Sequence, residues 1–130
     1  VLVAIVGSSS PIRDIALGNL RRVFLGEPVQ SPTGQKLLGF NHPPKTRARM
    51  LFDELVLGMD PDEVARHWVD QRIRVGARPP RVVPNVPLLR QVISRLPGAI
   101  GYLTIADLDP SVRALTIDGA APDSARYALK

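Results

Sequence analysis

The sequence contains no cysteine, few aromatic residues and no long apolar run. Without cysteine, the chain cannot form a disulfide scaffold, a thiolate metal site or a cysteine nucleophile. No apolar stretch approaches the roughly 18–20 residues that a membrane-spanning helix needs. Aromatic residues make up only 5% of the chain, so few rings are offered for stacking nucleic-acid bases. These absences favour a globular domain that does not bind nucleic acid.

The composition that remains is typical of one globular domain. The chain has 130 residues, within the usual domain size of about 100–150 residues. Hydrophobic residues make up 45% and charged residues 22%, which are ordinary values for a globular protein. The 13 prolines and 10 glycines predict many turns and short elements. We therefore expect residues 1–130 to form a single domain.

Positive charge is concentrated in the second half of the chain. The net charge is +5, and 14 of the 17 basic residues are arginine, which a coding bias would also produce. One segment, from Gln71 to Ala106, has no acidic residue and holds six arginines: Arg72, Arg74, Arg78, Arg81, Arg90 and Arg95. This pattern predicts either a basic face for nucleic acid, an anionic membrane or an acidic partner, or simply a solvated surface.

The chain begins with the apolar run Val1–Val6, which lacks both Met and a basic region before it. Such a start is typical of a processed mature protein, from which a signal peptide has been removed, or of an excised domain. The run itself predicts a strand buried on both faces, as in a parallel sheet. A Gly-Ser turn, residues 7–10, follows it.

Helical and strand patterns alternate along the rest of the chain. Periodic apolar residues predict four helices. In the first, the inward residues are Leu20, Val23 and Phe24; in the second, between Thr46 and Leu57, they are Met50, Leu51, Phe52 and Leu55. In the third, after Asp60-Pro61, they are Val64, His67, Trp68 and Ile73 or Gln71; in the fourth, after Asn85, they are Leu88, Leu89, Val92, Ile93 and Leu96. Further strands are predicted at Lys36–Phe40, Arg81–Val83, Ala99–Leu103 and Val112–Ile117. The alternation predicts an α/β fold, with a mixed, mostly parallel sheet flanked by helices.

Catalytic and metal-binding patterns are absent from the sequence. The two histidines, His42 and His67, have no partner at a metal-site spacing, so no metal site and no cofactor are predicted. We expect His42 to be exposed in its proline-rich turn and His67 to pack at the edge of the core. No nucleophile elbow, phosphate loop or dinucleotide fingerprint occurs, and the chain is predicted not to be an enzyme.

Two segments carry groups that favour anions. Ser8, Ser9 and Ser10 offer hydroxyl and backbone N–H groups just after a buried strand. Thr46, Arg47 and Arg49 lie at the start of a helix, where unpaired N–H groups and the helix dipole attract negative charge. These six residues are the predicted oxyanion site. The alternative is that Thr46 only caps the helix and the arginines are only solvated.

Several short motifs, in order, resemble one protein family. Leu20–Gly26 (LRRVFLG), Arg49–Gly58 (RMLFDELVLG) and Pro97–Tyr102 (PGAIGY) resemble segments of the phosphate-binding proteins of ABC transporters, and above all of their small single-domain relatives. The Ser8-Ser9-Ser10-Pro11 turn resembles the start of the same family. At its second phosphate motif the family has a Gly and a second hydroxyl that are missing around Thr46-Arg47-Ala48-Arg49.

This resemblance implies a fold and a function. The fold is that of one lobe of a type II periplasmic binding protein. The function is that of a periplasmic or otherwise extracytoplasmic solute-binding domain, which binds phosphate or a similar oxyanion weakly for ABC-type uptake. A membrane transporter or another envelope protein would be the partner. The alternative is an interaction or sensory module of the cell envelope that reuses the fold, which the incomplete phosphate motif and the arginine segment favour.

Overall fold

A computed structural model describes residues 1–129 and contains seven strands and four α-helices. The strands are β1 (Leu2–Gly7), β2 (Asp14–Ile15), β3 (Leu38–Asn41), β4 (Arg81–Val82), β5 (Ala99–Thr104), β6 (Val112–Ala114) and β7 (Thr116–Ile117). The helices are α1 (Leu17–Phe24), α2 (Arg47–Phe52), α3 (Pro61–Val75) and α4 (Val86–Arg95). A π-helical turn, Asp53–Leu57, continues α2, and a 3₁₀ turn, Ile105–Asp107, follows β5.

Five strands form the main sheet in the order β4-β3-β5-β1-β6. β3 is parallel to both β4 and β5, whereas β1 is antiparallel to both β5 and β6. Four strands therefore run in one direction and β1 alone runs against them. A separate parallel pair joins β2 to β7. The predicted mixed, mostly parallel sheet is confirmed, but the predicted last strand is divided, because residues 116–117 belong to the second sheet.

Residues 2–6 of the apolar run at the start of the chain are buried, as predicted, although the two neighbouring strands are antiparallel to β1; Val1 is exposed. Both faces of the sheet are covered around it. Gly101 of β5 faces Leu89 and Ile93 of α4, and the next residue, Tyr102, faces the opposite side. There Tyr102 stacks on Phe52, with ring centroids 3.8 Å apart. Burial on both faces depends on these two layers of helices and not on the direction of the neighbouring strands.

Helix termini follow the signals in the sequence. At the start of α3, the Asp60 carboxylate accepts from the Glu63 N–H at 2.8 Å, and Glu63 Oε1 accepts from the Asp60 N–H at 3.1 Å. This capping box confirms the predicted helix start. Asn85 caps α4 in the same way, because its side chain accepts from the Leu88 N–H at 2.9 Å.

Most of the predicted core is buried. Eight of the strongest candidates are almost inaccessible: Leu20, Val23, Phe24, Phe52, Leu89, Ile93, Ile100 and Tyr102. Leu55 and Trp68 are half-buried. The prediction is wrong for five other residues that were expected to face inward and are exposed: Met50, Leu51, Ile73, Leu88 and Leu96. Their helices carry more apolar surface than the rest of the fold covers.

The last described segment is tied back to the sheet by one tyrosine. The buried hydroxyl of Tyr127 donates to the Leu115 carbonyl at 2.8 Å and accepts from the Ala4 N–H at 3.1 Å. The Ala4 N–H lies on β1, and Leu115 lies between β6 and β7. Tyr127 thus fixes the segment after β7 against the middle of the main sheet.

Candidate functional site

The two halves of the predicted oxyanion site lie at opposite ends of the sheet. β1 ends at Gly7, which lies beside the start of β5, because Ile5 is opposite Gly101 and β1 runs antiparallel. β3 runs parallel to β5 and ends level with Tyr102, and Thr46 and Arg49 are hydrogen-bonded to the residues just after it, Pro43 and His42. The end of β1 is level with Ala99 and the end of β3 is level with Tyr102; these two positions on β5 are three residues, or about 10 Å, apart. The structure therefore does not bring Ser8–Ser10 and Thr46–Arg49 together around one ligand.

The serine turn has its own hydrogen bonds. The Ser8 hydroxyl donates to the Pro110 carbonyl, and Ser10 Oγ accepts from the Ile12 N–H at 3.2 Å. The Ser10 carbonyl accepts from Arg113 at 2.5 Å. A small hollow of about 110 Å³ adjoins the turn and is lined by Ser9 and Ser10 and by the end of α4. These contacts fasten the turn to the 110–113 segment.

The start of α2 keeps the features of an anion site. Thr46 Oγ1 accepts from the Arg49 N–H at 3.4 Å and donates to the Pro43 carbonyl at 2.8 Å, so it caps the helix. The N–H groups of the first helical residues, Arg47 and Ala48, have no carbonyl partner within the helix. Lys45, just before the cap, has the left-handed φ of 69° and an exposed side chain. The Arg47 side chain is exposed too.

Arg49 belongs to the interior. Its Nε is 3.0 Å from Asp53 Oδ2, and its Nη1 donates to the His42 carbonyl at 2.9 Å. Its side chain is only 10% exposed, and that of Asp53 is 5% exposed. Burial raises the pKa of Asp53 and outweighs the opposing effect of the Arg49 charge and hydrogen bond. The guanidinium predicted to meet a ligand thus already holds α2 to the end of β3.

His42 is buried at the same end of the sheet, so the prediction that it is exposed is wrong. It is 7% exposed, and its Nε2 donates to the Tyr102 carbonyl at 2.6 Å. Burial lowers the pKa of His42, and the nearby Arg49 charge adds to this, while the Tyr102 carbonyl and Asp107 oppose it. The Tyr102 hydroxyl donates to Asn41 Oδ1, and burial raises the pKa of Tyr102. A connected polar network therefore lies beneath α2.

A large open groove lies along β3 and the edge strand β4, between α4 and the end of α3. We call it the β3–β4 groove; its volume is about 1600 Å³. Its apolar lining comes from the two strands and α4: Leu38, Phe40, Val82, Leu88, Val92 and Leu96. The opposite wall is the end of α3 with the loop 76–80. Its exposed basic side chains are Lys36, Arg72, Arg78 and Arg81, and Glu27 is the one acidic residue that lines it.

Two of the remaining arginines of the acid-free segment form ion pairs. Arg74 pairs with Asp70 at 2.8 Å, and Arg90 pairs with Asp109 at 3.0 Å.

Within residues 1–129 no group of histidine and carboxylate side chains is suited to hold a metal ion. No helix of this part of the chain is long and apolar enough to cross a membrane.

Comparison with solved structures identifies the fold. An ABC-type phosphate transport receptor from Vibrio cholerae matches with a TM-score of 0.77 at 20% identity, over 98% of this chain and 52% of that chain. A phosphate ABC transporter substrate-binding protein with bound phosphate, from Clostridium perfringens, matches with a TM-score of 0.69 at 18% identity, over 92% and 46%. PstS from Borrelia burgdorferi matches with a TM-score of 0.68 at 19% identity, over 93% and 48%.

The chain has the fold of one lobe of a phosphate-binding protein of ABC transporters. It spans about half the length of these solved relatives. No protein-family model matches the sequence, and no curated protein matches it significantly. The resemblance seen in the motifs is thus confirmed at the level of the fold. The solved relatives with this phosphate-receptor fold are named as binding proteins and transport receptors, not as enzymes.

Sequence reasoning missed much of the polar network and the whole β3–β4 groove. Asn41 lies at the end of a strand and Asp53 lies within the motif RMLFDELVLG, but neither segment predicts that its polar side chain is buried. Both become buried where α2 lies across the end of β3. The spacing of Arg49 and Asp53, four residues apart on one helix, was a signal for their pairing. The groove had no local signal, because its lining comes from four separate segments of the phosphate-receptor fold.

Proposed function

We propose that the chain is an extracytoplasmic solute-binding domain that takes phosphate or a similar oxyanion at the start of α2. The solved relatives that are phosphate receptors support the class of ligand. The observation that carries the site is the capped start of α2, where the N–H groups of Arg47 and Ala48 have no hydrogen-bond partner within residues 1–129 and lie beside the exposed side chains of Lys45 and Arg47. Arg49 acts as a positioning residue, since its guanidinium holds the helix through Asp53 and His42.

The affinity of such a site is low. The start of α2 is open to water, which screens the attraction between the anion and the two cationic side chains. We expect a dissociation constant between micromolar and millimolar, which corresponds to about −8 to −4 kcal/mol. Delivery to a membrane transporter, and a periplasmic or other extracytoplasmic location, complete the proposal.

The test is a titration with inorganic phosphate and with sulfate, followed by amide NMR and by calorimetry. The amide signals of Arg47 and Ala48 should shift, and added salt should weaken the binding. Arg47→Gln should weaken it further by removing a guanidinium that fits an oxyanion. Arg66 is also exposed but lies on α3, so Arg66→Gln is the matched control, and this variant should bind phosphate like the unchanged protein. Ser9→Ala, at the other end of the sheet, should also have no effect.

Two results would contradict the proposal. One is the absence of any uptake at millimolar phosphate or sulfate. The other is a set of shifted amides centred on Ser8–Ser10, which would move the site to the serine turn. The interaction module remains the second candidate, because the β3–β4 groove is an open apolar surface whose basic residues form no ion pair within residues 1–129.

A further inference from the structure

The β3–β4 groove exposes apolar residues that a soluble surface ordinarily covers. Leu88 and Leu96 are 38% and 44% exposed, and Leu38 and Val82 on the strands are 39% and 45% exposed. All four residues line the same groove. Leu38 faces the α4 side of the sheet, because its neighbour Gly39 faces Phe24, whereas Val82, level with Asn41, faces the other side. Contiguous apolar patches with a polar rim mark interaction sites. The groove therefore has the character of a docking surface.

The rim of the groove selects the charge of the occupant. Lys36, Arg72, Arg78 and Arg81 line it, and none of them forms an ion pair within residues 1–129. Glu27 is the single acidic residue among the lining side chains. Complementary potentials across an interface steer association and exclude wrong partners. An acidic occupant fits this rim.

The shape of the groove indicates a helix. Leu88, Val92 and Leu96 are spaced four residues apart and form one ridge along α4, of the kind that packs between the ridges of a neighbouring helix. The ridge is as long as about two helical turns. The volume of about 1600 Å³ exceeds the roughly 300–1,000 Å³ of small-molecule sites. A segment of protein is therefore a better fit than a small ligand.

We infer that the β3–β4 groove binds an acidic amphipathic helix of a partner protein. The apolar face of that helix lies against Leu88, Val92 and Leu96, and its acidic flank meets Arg78 and Arg81. A second copy of this chain is a poorer occupant, because the chain carries a net charge of +5 and like charges repel. The inference does not depend on the oxyanion site, which lies at the start of α2.

The test uses a fluorescein-labelled helical peptide of about 18 residues, or five turns, with leucine on one face and glutamate on the other. Fluorescence anisotropy with the intact chain should show binding that weakens as salt is added. A peptide with lysine in place of every glutamate should bind at least about tenfold more weakly, because its charge repels the rim. A scrambled acidic peptide of the same composition should also bind at least about tenfold more weakly, because it lacks an apolar face.

Matched variants locate the binding surface. Leu88→Glu with Leu96→Glu should weaken binding of the acidic peptide by about tenfold or more. Leu51 is 36% exposed and lies outside the groove, so Leu51→Glu should leave the binding unchanged. Arg78→Glu with Arg81→Glu should weaken it and reduce its salt dependence. Arg66→Glu with Arg126→Glu makes the same change in net charge elsewhere and should leave the affinity as it was.

Three results would overturn the inference. The first is equal binding of the acidic and lysine peptides, or of the unchanged protein and the Leu88/Leu96 variant. The second is self-association in sedimentation that the Leu88/Leu96 variant abolishes, which would make a second copy the occupant. The third is binding to phosphatidylserine vesicles, lost in that variant, without binding of the peptide, which would make the occupant a membrane surface.

Discussion

Arg49 and Asp53 form an ion pair inside the protein, one helical turn apart. Nε of Arg49 lies 3.0 Å from Oδ2 of Asp53, and the other carboxylate oxygen, Oδ1, is buried without a hydrogen-bond partner within residues 1–129. The arginine also donates to the His42 carbonyl. The pair therefore joins the start of α2 to the end of β3, beside the proposed oxyanion site.

Removing one member of this pair should strongly destabilise the fold. Arg49→Met leaves the Asp53 carboxylate buried without its counter-charge, so the free energy of unfolding should fall by about 3–5 kcal/mol. Urea unfolding measures the change. Arg74→Met, in the exposed pair Arg74–Asp70 with the same spacing, should cost no more than about 1 kcal/mol. If Arg49→Met cost no more than Arg74→Met, the buried pair would not hold α2 in place.

Stability should decrease as the solution is made acidic, through His42. Burial lowers the pKa of His42 below its ordinary 6.5, so the unfolded chain takes up a proton more readily than the folded one. Its contribution to stability is complete above pH 6.5 and is lost as the pH falls from 6.5 towards the lower folded-state pKa. Unfolding in urea between pH 7.5 and about 5 measures this slope.

His42→Gln should reduce the pH dependence. A glutamine has no charge to gain, and its amide can still donate towards the Tyr102 carbonyl. The chain has one other histidine, His67, and His67→Gln is the matched control. A slope that disappears in the His67 variant and persists in the His42 variant would assign the acid sensitivity to the wrong histidine.

Gly26→Ala should disturb the contact between α1 and α3. Gly26 has a φ of 81°, and an added Cβ would lie 2.8 Å from the Trp68 ring. Gly76 also has a left-handed φ, of 66°, but open space around it, so Gly76→Ala should cost only about 1–2 kcal/mol of backbone strain. Gly26→Ala should cost more and should shift the emission of Trp68, the only tryptophan. Equal costs and an unchanged emission spectrum would show that the ring is not held against Gly26.

Phe24→Ala should be among the most damaging substitutions in the core. The Phe24 ring is 1% exposed and makes edge contacts with Phe52 at 4.7 Å and with Tyr102 at 5.9 Å between centroids. The cavity left behind should lower the free energy of unfolding by about 3–5 kcal/mol. Leu51→Ala, on the exposed side of α2, is the control and should change it by less than about 0.5 kcal/mol. Chemical unfolding that ranked these two variants together would contradict the assigned core.

Local pattern was enough to predict the helices and most of the strands. The caps at Asp60 and Asn85 and the periodic residues of α1 depend only on neighbours in the sequence, so they could be identified without a structure. The direction of β1 and the identity of its neighbouring strands could not be predicted in this way. The run Val1–Val6 has the same apolar character whether its neighbours are parallel or antiparallel, and both neighbours lie far along the chain.

The candidate site was harder to predict, for the same physical reason. Arg47 and Arg49 have identical side chains two residues apart, yet one is exposed and the other is buried beside Asp53 and His42. Helical periodicity places them on different faces, but which face meets β3 depends on tertiary packing. The separation of Ser8–Ser10 from Thr46 likewise followed from the reversed direction of β1, which no motif indicated.

The reversed strand also has a consequence for how the chain reaches its folded state. Leu2 pairs with Thr104, and Gly7 pairs with Val112, so β1 can join the sheet only after almost the entire chain is in place. Until then Leu2–Gly7 is an uncharged, proline-free segment of high β-propensity, the type that associates between chains. Contacts of such large sequence separation form slowly. Refolding should therefore compete with aggregation, and its yield should fall as the protein concentration rises.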